Sequence, residues 1–399
     1  VKCEKYWPDL GQESTHGSVT IMNISDKIFA DFTYRILNVS SKGKSRKIYH
    51  FHFTSWPDHS VPMYPQSVAS YLKKILATPP GSGPIVMHCS AGVGRTGTII
   101  LSDICLRMAA AEGAVDILGY LQQIREQRAN LVDNLDQYKL VHLVLLECLV
   151  TEPSSYPCDA SFEKQVQELI KSNAIKTQFN HLYDNRWQDR ALKSASKIQH
   201  SPGQTDPSKN RNLNIVPEPY CRVYISPFPY DDPNSGYLNA VYVDGFRVKD
   251  QFIVTQFPLH STVSDFWRLI TEKKISLIVV LNEIDIKEKD VCNFWPTELK
   301  SSISPMPHLT VTKKQEDDTA SWKIHTVNLT DTGTSVSIIS AIIYYKNDSE
   351  MIIRQVVNIL HLKNWSINSK MPPSDDVLIA LWEEAERLYS GKEPIVVCC

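Results

Sequence analysis

The chain has 399 residues, with 42 Lys and Arg against 44 Asp and Glu, and nine cysteines. That length accommodates two ordinary domains, and the near balance of charge provides no global field to gather nucleic acid or an anionic membrane, so any anion site must be local. The cysteines show neither zinc spacing nor a paired framework and read as reduced thiols, and no apolar run reaches the roughly 20 residues of a membrane span, so the chain is expected to be soluble.

In chain order, the patterning predicts strands at 28–40 and 46–54, a helix at 65–77, a strand at 84–88 running into a glycine-rich loop, and helices at 97–111, 116–128 and 134–149. "TEPSSYPCDAS", residues 151–161, interrupts two helical patterns with Pro, Ser and Thr and reads as a junction. Beyond it come helices near 161–172 and 262–273, buried strands "ISLIVVL" and "KIHTVNL", a helix at 374–389 and a last strand at 394–398. Residues 313–319, "KKQEDDT", read as a solvated loop. Strands and helices in this order imply an α/β (α+β) class, layered around a twisted mixed sheet flanked by helices.

The chain also repeats itself. "KCEKYWPDL" at 2–10 returns as "VCNFWPTEL" at 291–299, and "GPIVMHC" at 83–89 as "EPIVVCC" at 393–399. Trp56 in "HFHFTSWPDHSVP" matches Trp365 in "LHLKNWSINSKMPP". Two copies of one domain follow, expected at 1–152 and 153–399. Residues 160–291 have no upstream counterpart and residues 90–150 no downstream one, so both copies are expected to be truncated pieces of a longer tandem protein.

Gly92, Gly94 and Gly97 in "HCSAGVGRTGTII" have the G-x-G-x-x-G spacing of a dinucleotide loop. That reading needs an acid ending a second parallel strand, whereas "MAAAEGAVDILGYLQQI" reads as helix, turn, helix. A nucleotide P-loop also fails, because Thr98 stands where its lysine belongs. A third reading uses every residue: a glycine turn at a helix N-terminus aims successive N–H groups into one cup fit for a phosphate dianion. Arg95 adds a planar fork for two oxygens. Cys89 at the mouth of that cup would be held as a thiolate, a nucleophile for phosphorus.

These residues resemble a known family. "HCSAGVGRTG" is similar to the signature loop of tyrosine-specific protein phosphatases, "WPDHSVP" to their mobile acid loop and "KCEKYWP" to a segment that precedes it. The tandem layout resembles the intracellular part of a receptor-type protein tyrosine phosphatase. The resemblance implies that Cys89 attacks phosphotyrosine, that Arg95 and the amides of Ser90, Ala91, Gly92, Val93 and Gly94 hold the phosphate oxygens, and that Asp58 is general acid and then base. It implies further that Trp56 and Pro57 shape the acid loop, that Thr96 stabilises the leaving thiolate, that His88 fixes the loop as a hydrogen-bonded structural histidine, and that Gln137 helps position water. Trp7 reads as a core aromatic.

The same resemblance implies no metal and no cofactor. Partners would be phosphotyrosine proteins and the second phosphatase domain, within or between chains, with no nucleic acid. The chain would be the cytoplasmic portion of a single-pass plasma-membrane receptor, touching the membrane only through a segment outside it. Two departures stand in copy one: Asp133 replaces a glutamine that serves hydrolysis, and Ser60 replaces a glycine of the acid loop. Copy two departs further. Asn212 stands in place of the substrate-stacking tyrosine, Ser366 and Ile367 replace the proline and aspartate of the acid loop, and Cys398 replaces the histidine before Cys399. Copy two is therefore expected to be a pseudophosphatase with a regulatory role. The alternative is that Asp133 has crippled copy one too and the pair binds phosphoproteins without turnover.

Overall fold

Hydrophobic alternation with connections of two or three residues builds the first sheet. The computed structural model describes residues 3–57, 60–79, 81, 83–150, 155–183, 206–228, 233–283, 292–332, 353–366 and 369–399. Strands β1 (Glu13–His16), β2 (Val19–Ile28), β3 (Phe32–Ser41) and β4 (Lys44–Phe53) form an antiparallel sheet in that order. The β3 to β4 turn places Lys42 and Gly43 at φ 48° and 75°, the paired left-handed residues that match the twist of a hairpin. Helices α1 (Pro65–Leu76), α2 (Gly94–Glu112), α3 (Ile117–Gln127) and α4 (Leu135–Leu149) follow. Their shared core has Val68, Leu72, Leu101, Cys105, Leu140, Val141 and Val144 at 0% exposure. Asp116 and Asn134 cap α3 and α4, accepting from Gly119 N and Gln137 N. Helices α5 (Phe162–Lys171) and α6 (Ala174–Tyr183) complete this unit, which spans Val1–Ile198.

The second unit, Gln199–Cys399, holds a mixed sheet of eight strands. Its strands are β5 (Ala240–Val243), β6 (Phe252–Thr255), β7 (Leu277–Val280), β8 (Ser302–Met306), β9 (Leu309–Asp318), β10 (Trp322–Asp331), β11 (Ile353–Leu362) and β12 (Ile395–Cys398). The order is β5-β6-β12-β7-β11-β10-β9-β8, with parallel pairing from β6 through β12 and β7 to β11. Strand β7 shows how both faces are covered. Leu277 and Val279 join the cluster under helix α8 (Asp375–Leu388), while Ile278 and Val280 join the one under helix α7 (Val263–Glu272), as the two-residue side-chain period requires. A helix-flanked mixed sheet is the predicted class.

Two expectations are corrected. Residues 84–88 form no strand: Ile85 and Val86 are 62% and 84% exposed, and no described strand lies beside them. The repeat of this segment, β12, becomes a strand because β6 and β7 flank it. Residues 313–318 are not a solvated loop but the end of β9, where Lys313 is 2% exposed, donating to Thr297 O at 2.7 Å and paired with Glu316. Residues 314–318 are exposed along the strand, and Glu316 reaches back to neutralise the buried Lys313.

Candidate active site

The loop from Cys89 to Thr96 leads into α2, whose first residue is Gly94. Each glycine has its own steric reason. Gly92 sits at φ +67°, a left-handed backbone that favours glycine. A Cβ on Gly94 would lie 2.7 Å from Gln137 Nε2, and one on Gly97 would lie 2.4 Å from Val132 N. The second and third glycines therefore let Gln137 and the 131–132 backbone close against the start of the helix. Outside the loop, the Arg128 guanidinium donates to Gly92 O at 2.8 Å and Ala91 O at 2.9 Å. With these carbonyls turned toward Arg128, the Gly92 N–H is free to point inward, where it donates to Cys89 Sγ at 3.2 Å.

Half-buried Cys89 is the only sulfur whose thiol is pulled down, from its ordinary 9.0 to about 7, among those described with a resolved shift. Burial pushes it upward, but the Thr96 hydroxyl and the N–H groups of Thr96, Val93 and Gly92 outweigh that penalty. Thr96 Oγ1 is buried, and its hydroxyl is the first of the groups that lower the Cys89 thiol. In contrast, Cys398, the counterpart of His88, is fully buried among apolar strands and its thiol is pushed far up by burial.

Arg95 reaches across to the acid-loop segment. Its Nη2 donates to Pro57 O at 3.1 Å, and its guanidinium carbon lies 5.8 Å from the Trp56 ring centroid. Trp56 is buried and donates through Nε1 to Ser60 O at 3.0 Å, pinning both ends of that loop. Asp58 lies outside the described residues, as does Ile367 of copy two. Ser90 and Ala91 are exposed at the rim of the loop.

Gln137 is buried beside Gly94, and its Oε1 accepts from Asp133 N at 2.8 Å. It is thus the backbone of Asp133, not its carboxylate, that meets the glutamine, and the Asp133 residue is exposed. His88 makes two contacts, Nδ1 to Cys89 O at 3.1 Å and Nε2 to the Tyr6 hydroxyl at 2.8 Å. Sequence reasoning missed Arg128, Tyr6 and His50 as members of this neighbourhood, and also Arg125, which donates to Leu131 O and Val132 O at 2.8 and 2.6 Å. Val132, held there at φ 61°, is a β-branched residue in a left-handed conformation, a strain that Arg125 helps hold. Tyr6 and His50 fall within "KCEKYWP" and "HFHFTSWPDHSVP" but carry no role there, and Arg128 and Arg125 lie in no motif.

In copy two the indole lock persists, Trp365 Nε1 donating to Ser369 O at 3.0 Å. Asn212 is exposed and its Oδ1 accepts from Asn214 N at 2.9 Å, so its side chain serves a local turn.

Among known proteins, the family model described as Protein-tyrosine phosphatase matches residues 1–147 and 206–399. Receptor-type tyrosine-protein phosphatase alpha of Mus musculus is 31% identical over 415 aligned residues, covering 100% of this chain and 46% of that protein. The Homo sapiens protein of the same name is also 31% identical, with 100% and 48% covered. Tyrosine-protein phosphatase 99A of Drosophila melanogaster is 31% identical over 99% of this chain and 28% of its own length. The chain thus spans less than half the length of these relatives. A family model that accounts for most of the sequence in two successive blocks, together with a cysteine loop built as that chemistry requires, leads to one assignment: the chain belongs to the protein-tyrosine phosphatase family.

Proposed function

We propose that the first domain, residues 1–152, hydrolyses phosphotyrosine in proteins through a phosphocysteine intermediate, and that the second, residues 153–399, is a regulatory pseudophosphatase domain. The Cys89 thiolate attacks phosphorus as the bond to the tyrosine oxygen breaks, and Asp58 protonates that oxygen as it leaves. Arg95 and the loop amides from Ser90 to Gly94 compensate the three equatorial oxygens, whose charge must be held through the transition state. Water, oriented by Gln137 and deprotonated by Asp58, then attacks phosphorus. The P–S bond breaks, Thr96 receives the departing thiolate with a hydrogen bond, and inorganic phosphate is released. Trp56 and Pro57 carry the acid into place, and His88 acts by holding the loop.

What carries this reading is the sulfur itself, lowered to about 7 by converging N–H groups and a hydroxyl. A structural turn has no need of an ionised thiol. The reading calls for no metal or cofactor. On the same reading the chain is the cytoplasmic portion of a single-pass plasma-membrane receptor whose partners are phosphotyrosine proteins and its own second phosphatase domain. No helix among the described residues is long and apolar enough to cross a membrane.

Rapid quenching of the full-length protein with a ³²P-phosphotyrosine peptide tests it. Acid-stable label on the peptide containing Cys89, lost in Cys89→Ser, is the expected result. In Asp58→Ala, turnover should fall by about a hundredfold or more, the scale of a general acid, with substrate affinity little changed. Phosphate release by Cys89→Ser at the parental rate would overturn the assignment.

A further inference from the structure

The far end of the first sheet carries charge of one sign. Residues 32–57 contain five Lys and Arg and no Asp or Glu, in a chain whose net charge is −2. One of the five, Arg35, has its Nε 3.6 Å from Asp26. The other four, Lys42, Lys44, Arg46 and Lys47, crowd the β3 to β4 turn and the start of β4, and all are exposed. Among the described residues, no acid lies within ion-pairing distance of these four.

The cations line an open strand edge. β4 is the last strand of its sheet. The tight turn at Lys42 and Gly43 makes Ser41 and Lys44 a hydrogen-bonded pair, so the main-chain groups of Ser45, Lys47 and Tyr49 face away from β3. In the second copy β11 corresponds to β4, with Asn358 at the place of Tyr49, and Asn358 N does donate outward, to Ser276 O at 2.9 Å. There the adjoining strand β7 pairs only with 358–361, the places of 49–52. Residues 353–357, the places of 44–48, pair with β10 alone. The basic half of β4 is thus the half that this fold leaves unpaired even beside its neighbouring strand.

Charges on a free edge can serve simply to repel another edge. The second copy shows that this fold does not need four of them for that purpose. Its residues at the places of 44–47 are Ile353, Arg354, Gln355 and Val356, with a single cation. Like charges beside outward amides meet two requirements of one ligand, negative side chains and an extended backbone. Lipid headgroups meet only the first. From this edge β4 runs to Phe53, about 30 Å at strand rise, and the chain continues to Pro57, whose carbonyl accepts from Arg95.

We propose that residues 44–48, with Lys42, are a docking edge for an extended acidic segment of the protein substrate, which joins the sheet as a strand about ten residues from the phosphotyrosine. The substrate role rests on the reading of the first domain as a phosphatase, whereas the binding does not.

The test uses the full-length protein and two labelled peptides of about ten residues, one alternating Glu with Thr and one alternating Lys with Thr, followed by fluorescence anisotropy. The Glu peptide should bind, more weakly as salt rises, and the Lys peptide should not. Lys42→Glu/Lys44→Glu/Lys47→Glu should weaken the Glu peptide about tenfold or more, the effect of three reversed surface charges. Arg46 is left intact because Gln355, at its place, donates to Ile270 O and Ile275 O. Ser45→Pro removes an outward N–H, which an edge position tolerates, and should weaken the peptide about three- to tenfold. Joined by a Gly-Ser spacer to a phosphotyrosine peptide, the Glu segment should lower KM about tenfold in the parent and less in either variant. Turnover of the unjoined phosphotyrosine peptide should be the same in all three proteins, which also shows that the variants fold. Parental affinity in the charge reversal or in Ser45→Pro would overturn the proposal. So would binding to phosphatidylserine vesicles without binding to the Glu peptide. Peptide binding that both variants weaken, in a parent protein that releases no phosphate, would uphold the edge while removing the proposed activity.

Discussion

At the scale of single residues, the cysteine loop shows how little of its chemistry belongs to the cysteine. Thr96 supplies the first of the contributions that lower Cys89, so Thr96→Val should raise the thiol from about 7 part of the way toward 9.0. Because the thiolate is the reactive form, the loss must be largest below the new pKa and vanish above it. A pH–rate profile should show kcat/KM about three- to tenfold lower at pH 6 to 7, the worth of one ordinary hydrogen bond, and converging with the parent near pH 9. Gly97→Ala tests packing instead. Its Cβ would meet backbone at 2.4 Å, with no flexible side chain to yield, so about 1–3 kcal/mol of destabilisation is expected by urea unfolding. Asp133→Gln should speed breakdown of the phosphoenzyme only about two- to fourfold, since the exposed carboxylate acts through a high dielectric. Single-turnover rates would read this, and a tenfold gain would mean the charge lies nearer the phosphate than its exposure indicates. Cys89, Arg95, Thr96 and the glycines were legible because they are contiguous and each has a stereochemical reason for its place. Arg128 and His50 were not, because an isolated arginine or histidine carries no sign of the carbonyl or hydroxyl that folding will bring to it.

At the scale of elements, one heptapeptide has two fates. "EPIVVCC" becomes β12, with Ile395 N donating to Gln251 O at 2.9 Å and parallel partners on both sides, while "GPIVMHC" forms no strand and is exposed except at half-buried Met87 and Cys89. Strand propensity is chiefly a statement about neighbours, so amide exchange in this chain should be slow at 395–397 and close to unprotected at 85–87. Equal protection of the two segments would mean that 84–88 finds a partner. The β9 to β10 hairpin carries a second lesson. Glu316 is held at about 2, first by its bond to Lys313 and, against the opposing effect of burial, also by Lys323 and the His325 side. A depressed carboxyl contributes stability that is complete above its ordinary 4.5 and lost as pH falls toward about 2. Glu316→Gln should remove that acid-limb slope from the second unit's unfolding curve. It should also cost about 2–3 kcal/mol at pH 7, because Lys313 would remain buried without its counter-charge. Charge patterning placed 314–318 in solvent correctly and missed that they form a strand and that Lys313 is buried, since a sequence does not reveal that Thr297 O and Glu316 will receive the lysine.

At the scale of the molecule, the repeat makes the chain its own control. Both copies keep the indole lock, Trp56 to Ser60 O and Trp365 to Ser369 O, each at 3.0 Å. Both also hold the segment after the Trp-Pro pair or at it by a buried side chain, Asn23 donating to Pro8 O and Lys313 to Thr297 O. Among the differences, Asn212, Ser366 and Cys398 occupy positions where the family pattern has an aromatic, a proline and a histidine. Scaffold positions are under packing constraints that any apolar or hydrogen-bonded solution can meet, whereas catalytic positions tolerate only particular groups, so on the proposed reading the second copy would keep its fold without turnover. Loss of a general acid alone costs about a hundredfold or more, and the buried Cys398 thiol cannot make the loop-holding contacts of His88. Turnover by the pair should therefore belong wholly to the first copy. Cys89→Ser should lower phosphate release from a phosphotyrosine peptide by at least about a thousandfold, as loss of a nucleophile does, whereas Cys399→Ser should leave kcat within about twofold. Residual activity in Cys89→Ser that disappears on adding Cys399→Ser would show that the second copy turns over substrate and that its altered acid loop has been compensated from elsewhere.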